Sequence, residues 1–193
     1  MSDGRVGAIV LAGGRSSRFG RDKLAECIDG RPMLDWAVQA VQAVASDVVV
    51  VVAPDAPRPV PAGARIVHDT EAFEGPLAGL AVGLAALDPD VERVIVVGGD
   101  MPRLSPVVLR RLLDALTGAE VALLGHGGGA PPLPVACRRG SATTAVDGLL
   151  AAGERRLRAM PERLTSVIVA ADAWTSDDPE GRTLRDVDVP ADL

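Results

Sequence analysis

Five consecutive valines, Val48 to Val52, constrain this chain more than any other feature of its sequence. β-branched side chains are stiff about χ1 and favour extended backbone. Side chains of a strand point alternately to its two faces, so an unbroken apolar strand must be covered on both. That places Asp47 to Ala53 inside a parallel sheet with helices above and below, not in a half-wet hairpin. Val6 to Leu11 and Arg93 to Val97, broken by Gly98-Gly99, read in the same way.

Between these runs the apolar period becomes that of a helix. Pro32 opens one, with Met33, Leu34, Ala37, Val38, Val41 and Val44 along a single face. Pro76 to Leu87 is a small-residue helix. Ser105 and Pro106 supply an N-cap and first turn ahead of Leu109, Leu112, Leu113 and Leu116. Short strands are expected at Arg65 to Val67, Glu120 to Leu124, Ser166 to Ala170 and Arg185 to Val189. Leu133 to Cys137 reads as a returning strand, antiparallel and at an edge. Ser141 is expected to cap a helix through Leu150, and another helix is expected near Glu154. Pro54 to Gly63 holds four prolines and must be a loop. Strands alternating with helices predict a doubly wound α/β sheet, mostly parallel, with helices on both faces. With no repeat or linker in view, residues 1–193 are read as a single domain. In such sheets ligands sit beyond the carboxyl ends of the strands.

Composition narrows the partners. The chain has 20 basic and 26 acidic residues, a net charge of −6, which disfavours binding to a nucleic-acid backbone. Apolar residues make up 48%, which argues against disorder, and no apolar run reaches the roughly 20 residues of a membrane helix. The polar start shows no signal peptide, and Cys27 and Cys137 lack metal-ligand spacing. A cytoplasmic protein with reduced, buried thiols is expected.

The chemistry concentrates after the first strand, in Leu11-Ala12-Gly13-Gly14-Arg15-Ser16-Ser17-Arg18-Phe19-Gly20-Arg21-Asp22-Lys23. It lacks both the Walker spacing and the dinucleotide fingerprint. Gly13 and Gly14 nevertheless allow backbone N–H groups to approach phosphate oxygens, and Arg15, Arg18, Arg21 and Lys23 surround them with charge. Taken alone, this is also the composition of a solvated turn. Asp100 closes a buried strand behind two glycines, where a carboxylate can hold Mg²⁺ beside substrate phosphates or cap the next turn. Asp69 reads equally as a loop cap or a ligand contact. Arg155, Arg156 and Arg158 form either a solvated face or a phosphate clamp.

The long motif ending in Asp22-Lys23 resembles the signature of MobA-like nucleotidyltransferases. The likeness continues through Gly75-Pro76-Leu77-Ala78-Gly79, Gly99-Asp100-Met101-Pro102, Gly153-Glu154-Arg155-Arg156 and Asp186-Val187-Asp188. It implies a Rossmann-like, nucleotide-diphospho-sugar transferase-like fold, with a nucleotide-binding N-terminal half and an acceptor-binding C-terminal half. Leu11, Ala12 and Gly13 would meet the base through their backbone, with Gly14 beside them. Lys23 would bind phosphate, Asp69 the nucleotide, and Asp100 and Asp188 the Mg²⁺. Catalysis would rest on Asp100, Lys23 and Arg18.

In the molybdenum cofactor branch of that family, guanylyltransferases carry Leu-Ala-Gly-Gly and cytidylyltransferases Leu-Ala-Ala-Gly. Gly13 therefore points to GTP, with molybdopterin-bound molybdenum cofactor as acceptor. Asp186-Val187-Asp188 stands where guanylyltransferases usually have Asn-Val-Asn and leans towards a CTP-using relative. The 125–134 loop also departs from the family, which leaves the acceptor open. Expected partners are these small molecules and proteins of molybdoenzyme maturation, with no nucleic acid or membrane, and the chain is expected as a monomer or weak oligomer. A regulatory module without chemistry, or a flavodoxin-like or dinucleotide-binding oxidoreductase domain, is the rival class. If Lys23 grips phosphate, Lys23→Ala should weaken GTP binding by about 1.5–3 kcal/mol, the range for a hydrogen bond to a charged group. Titration calorimetry would measure this, and unchanged affinity would remove Lys23 from the site.

Overall fold

A computed structural model gives the structure of the chain and describes residues 4–13, 23–54, 59–69 and 75–187. In chain order the elements are β1 (Arg5–Leu11), β2 (Cys27–Ile28), β3 (Arg31–Pro32), α1 (Met33–Gln42), β4 (Asp47–Val52) and β5 (Arg65–His68). Then follow α2 (Pro76–Ala86), β6 (Val91–Gly98), α3 (Pro106–Asp114), β7 (Val121–Leu124), β8 (Val135–Arg138), α4 (Arg139–Ala151) and β9 (Ser166–Val169). Seven strands form one sheet in the order β5-β4-β1-β6-β8-β7-β9, and β2 and β3 make a separate hairpin.

The five valines fill β4, and every residue of that strand is buried. Val48, Val50 and Val52 face a core layer with Met33, Val38 and Val41 of α1 and Leu109 and Leu112 of α3. Val49 and Val51 face the opposite layer, with Leu77, Leu80 and Leu84 of α2 and Val146 and Leu149 of α4. Two helices thus cover each face, as the unbroken apolar run requires. Gly83 lets α2 lie close to the sheet: a methyl group there would sit 2.6 Å from Cγ2 of Ile9. The chain leaves β1 for β4 and β5 on one side and returns to β6 on the other. Strand order therefore reverses at β1, where open α/β sheets form their ligand crevice.

Several local expectations change. β8 is antiparallel as expected but lies inside the sheet, bonded to β6 and β7, and its Val135, Ala136 and Cys137 are fully buried. Burial on both sides, not an edge, explains its apolar composition. The fourth helix begins at Arg139 without a capping side chain, and the Ser141 hydroxyl bonds Glu120 instead, at 2.7 Å. After Glu154 the chain makes two single 3₁₀ turns, Leu157–Ala159 and Pro161–Arg163, in place of a helix. Arg185 to Val187 is not a strand; it follows a 3₁₀ turn at Arg182–Leu184. Ser105 stands at the N-cap position of α3, but its side chain makes no capping bond. Cys137 is buried, and burial pushes its thiol up to about 12. Cys27, expected to be buried, is exposed. No helix among the described residues is long and apolar enough to cross a membrane.

At the amino ends of the strands, Asp47 ties the sheet to its loops. Its carboxylate accepts two bonds from Nη2 of Arg65, at 2.7 and 2.9 Å, and one from the N–H of Asp88 at 2.8 Å. Burial pushes this carboxyl up, but the bonds from Arg65 and Asp88 outweigh it and hold it below its ordinary value. A depressed folded-state pKa stabilises the protein above the unfolded value of about 3.9, and the contribution disappears as pH falls through the folded value. Asp47→Asn should therefore lower the urea midpoint at pH 7. The gap to the unsubstituted protein should close below about pH 4. An equal gap at pH 7 and pH 3 would show that the charge of Asp47 contributes nothing.

Candidate active site

The site is built at the carboxyl ends of β1, β4 and β6. Leu11 is the last rung of the β1–β6 ladder, opposite Gly98. Its carbonyl then accepts the N–H of Gly99 at 2.9 Å, and the N–H of Ala12 bonds the Val51 carbonyl at 2.8 Å. Leu11-Ala12-Gly13 is thus pinned between two strand ends. A methyl group on Gly99 would lie 3.1 Å from Leu34 Cδ1 and 3.4 Å from Cβ of Ala12. That crowding explains the glycine better than conformational freedom does.

Asp100 sits in the turn that follows, closed by the Met101 N–H on the Gly98 carbonyl at 3.3 Å. Gly98 leaves the space its carboxylate occupies: a methyl group there would fall 2.4 Å from Oδ1 of Asp100. Lys23 begins a 3₁₀ turn, Lys23–Ala25, whose Leu24 is buried in the α1 layer. The Glu26 carbonyl accepts the N–H of Met33 at 2.8 Å and fixes that turn to the start of α1. From this anchored base Nζ of Lys23 reaches Oδ2 of Asp100 at 2.8 Å and the Val187 carbonyl at 3.0 Å. Side-chain exposure is 18% for Lys23 and 27% for Asp100, so the pair is shielded yet reachable from solvent.

Asp69 follows β5, and its N–H extends the ladder to the Val52 carbonyl at 2.8 Å. Its Oδ2 stands 3.8 Å from where a methyl group on Gly79 would be, and its Oδ1 is buried without a hydrogen-bond partner among the described residues. A buried acceptor left open is costly unless something donates to it. Such a carboxylate has the chemistry to accept from the N–H or O–H groups of a ligand.

The structure therefore brings Lys23 and Asp100 together, sets Leu11, Ala12 and Gly13 beside them, and places Asp69 one strand beyond β4. Gly14, Arg18 and Asp188 lie outside the described residues. The donors suit a hard cation: Mg²⁺ takes one or two carboxylates and completes its shell with phosphate oxygens and water. Among the described residues no group of three or more His, Cys, Asp or Glu gathers into an all-protein cage. Sequence reading missed Val187, which acts through its backbone carbonyl and leaves no side-chain signature.

The arginine cluster is used differently from a free clamp. Arg156 is paired with Glu154, whose Oε1 accepts Nε at 2.9 Å and the N–H groups of Arg155 and Arg156 at 2.8 and 2.9 Å. The Arg156 side chain, then the two N–H groups, hold this carboxyl far below the carboxylate range. The Arg155 carbonyl packs on the start of α2, accepting the Leu77 N–H at 3.4 Å. Gly75 has φ of +94° there, and a methyl group on it would lie 2.9 Å from that carbonyl. Arg158 instead lines a cavity of about 320 Å³ with Leu123, Pro132 and Ile168. A larger cavity, about 590 Å³, is lined by Glu120, Ser141, Thr144 and Arg163 and holds none of the residues expected to act.

A family model described as the MobA-like NTP transferase domain matches residues 8–167. The chain is 34% identical to a Chloroflexus aggregans protein named "Probable molybdenum cofactor guanylyltransferase", covering 97% of this chain and 91% of that one. A Deinococcus radiodurans protein of the same name is 37% identical, over 84% of this chain and 82% of its own. Molybdopterin-guanine dinucleotide biosynthesis protein A from Archaeoglobus fulgidus shares the fold with a TM-score of 0.77. It is 21% identical, over 96% of this chain and 94% of that one. The 2-C-methyl-D-erythritol 4-phosphate cytidylyltransferase of Thermus thermophilus shares the fold at 0.71. It is 18% identical, over 95% and 93%.

Asp100 holds one of the three N–H donors of the Lys23 ammonium and competes for its charge with any phosphate brought to it. Asp100→Asn should therefore tighten binding of Mg²⁺-free GTP by up to about fivefold, the ~1 kcal/mol upper range for a partly exposed pair. The same variant should lose the gain in affinity that Mg²⁺ gives the unsubstituted protein. Calorimetry in chelator and in Mg²⁺ separates the two effects, and weaker Mg²⁺-free binding would contradict this account of the pair.

Proposed function

The chain belongs to the MobA-like NTP transferase family and is a nucleotidyltransferase, and from that premise we propose that it transfers GMP from GTP to the terminal phosphate of molybdopterin-bound molybdenum cofactor. What supports this reading most is the Lys23–Asp100 pair beside the pinned Leu11-Ala12-Gly13 backbone. The pair supplies one cation for a triphosphate chain and one carboxylate for its counter-ion. Support for guanosine comes from Gly13 and from the names of the relatives. Asp186-Val187-Asp188 favours a second reading, transfer of CMP from CTP to the same acceptor.

An oxygen of the acceptor's terminal phosphate attacks the α-phosphorus of GTP. The bond from that phosphorus to the β-phosphate oxygen breaks, and pyrophosphate leaves with the bonding pair. The attacking phosphate is already ionised, so the protein's tasks are orientation and charge neutralisation. In this reading the backbone of Leu11, Ala12 and Gly13, with Gly14, holds the nucleotide. Asp69 accepts from its donor groups, and Lys23 and Arg18 neutralise the departing pyrophosphate. Asp100 and Asp188 would hold Mg²⁺, which supplies Lewis-acid neutralisation at the phosphates when bound.

A thermal-shift series of GTP, CTP, ATP and UTP with Mg²⁺ tests the nucleotide, since a ligand that binds only the native state raises its stability. GTP should give the largest shift, and pyrophosphate release should require both GTP and the cofactor acceptor. A larger shift with CTP would move the assignment to cytidylyl transfer.

A further inference from the structure

The Lys23–Asp100 pair has a third member, and the groups that hold it lie well outside the site. The Val187 N–H bonds the Asp100 carbonyl at 2.9 Å while its own carbonyl accepts from Lys23 at 3.0 Å. Five residues from Asp100 and four from Val187, the N–H of Ser105 bonds Oγ1 of Thr183 at 3.0 Å. Segments 100–105 and 183–187 therefore run in opposite directions, joined at both ends. Thr183 is fully buried and Asp178 nearly so. The Asp178 carboxylate accepts the N–H of Arg182 at 3.0 Å and that of Thr183 at 2.7 Å, shaping the 3₁₀ turn that presents the hydroxyl. Around the turn the chain is anchored by Trp174, fully buried with Nε1 on the Gly125 carbonyl at 3.2 Å, and by Val187 itself, 4% exposed.

We propose that Thr183 and Asp178 are positioning residues for nucleotidyl transfer: they latch the 182–187 strap onto the 100–105 loop and so hold Asp100 and Lys23 in register. The inference rests on the site assignment made under Proposed function. Neither residue touches the reacting groups. They act through Val187, whose two backbone groups meet one member of the pair each. Without the latch, the strap divides its time between docked and undocked forms, and only the docked form gives Lys23 the Val187 carbonyl. Ligands that require the docked form then bind with an affinity reduced by the docked fraction, and saturating ligand restores docking.

The effect therefore has a signature that simple destabilisation lacks. Thr183→Val keeps the shape of the side chain and removes the oxygen that Ser105 needs. It should raise the Mg²⁺ concentration for half-maximal GTP binding on the order of tenfold. It should leave kcat at saturating Mg²⁺ and GTP within about twofold. Thr183→Ser, which keeps the hydroxyl, should behave as the unsubstituted protein does. Asp178→Asn, which leaves one acceptor oxygen for two N–H groups, should shift the Mg²⁺ requirement in the same direction by a smaller factor. Trypsin should cut faster after the exposed Arg182 and Arg185 in Thr183→Val and Asp178→Asn, and Mg²⁺ with GTP should slow that cleavage.

The experiment is a Mg²⁺ titration of GTP binding by calorimetry on the full chain and the three variants, with pyrophosphate release and tryptic cleavage alongside. An unchanged Mg²⁺ requirement in both latch variants would overturn the proposal. So would a loss of activity of equal size at every Mg²⁺ concentration that follows the fall in unfolding midpoint, since that marks a merely structural role. If the unsubstituted protein itself shows no Mg²⁺-dependent GTP binding, the site assignment has failed, and faster cleavage of Thr183→Val would still report the latch.

Discussion

Leu11 faces Gly98 at the end of the β1–β6 ladder, and the bond from the Gly99 N–H to the Leu11 carbonyl carries the pairing past the end of β6. The candidate site hangs from that register. A parallel strand slipped by one residue sends every side chain to the opposite core layer, and the close fit of Ile9 in β1 against Gly83 of α2 would be lost. In the register that forms, the Leu11-Ala12-Gly13 backbone and the Asp100 turn emerge side by side. The polar apparatus stands on an apolar frame that would be costly to shift.

Lys23 arrives from a different direction. Its turn is fixed by burial of Leu24 and by the Glu26–Met33 backbone bond, so the ammonium is delivered from the α1 layer to a carboxylate delivered by β6. The strap supplies the third point through Val187. Three chain segments far apart in sequence thus meet at one cation. A charged side chain held by a carboxylate and a carbonyl is well defined yet still exchangeable, because neither partner is bound to it covalently and the Lys23 and Asp100 side chains are partly open to water. These are useful properties for the proposed role, in which Lys23 passes from a protein carboxylate to a substrate phosphate.

The glycines illustrate how differently one residue type can be used. At Gly98 and Gly99 the reason is close approach, to a carboxylate and to Leu34 and Ala12. At Gly75 it is a positive φ together with the Arg155 carbonyl. The Glu154-Arg155-Arg156 segment, dense in charge, largely satisfies itself: Glu154 takes Arg156, and the Arg155 backbone buttresses α2. Charge density in a sequence says where ions gather, and only the fold says which of them remain available.

The sequence by itself determined the layered α/β plan and the ends at which chemistry could sit. Two-sided burial of Val48 to Val52 and of Val94 to Val97 follows from apolar runs too long for a half-exposed strand, and the glycine and acidic positions fall just after such runs. It also carried the family likeness, because Leu11 to Lys23 and Gly99 to Pro102 are contiguous motifs. Sequence could not tell that β8 is interior, since an apolar antiparallel strand reads the same at an edge until its neighbours are known. It offered no sign that Oδ1 of Asp69 is buried and open, which only the packing around β5 shows. The strap was invisible for a stronger reason. Val187 works through its backbone, which every residue shares, and Thr183 and Asp178 matter only because folding sets them against Ser105 and the turn before Val187. Which backbone group meets which side chain across such separations is decided by tertiary packing, because the sequence sets only local preferences and the hydrogen bonds form where the packed core has placed their partners.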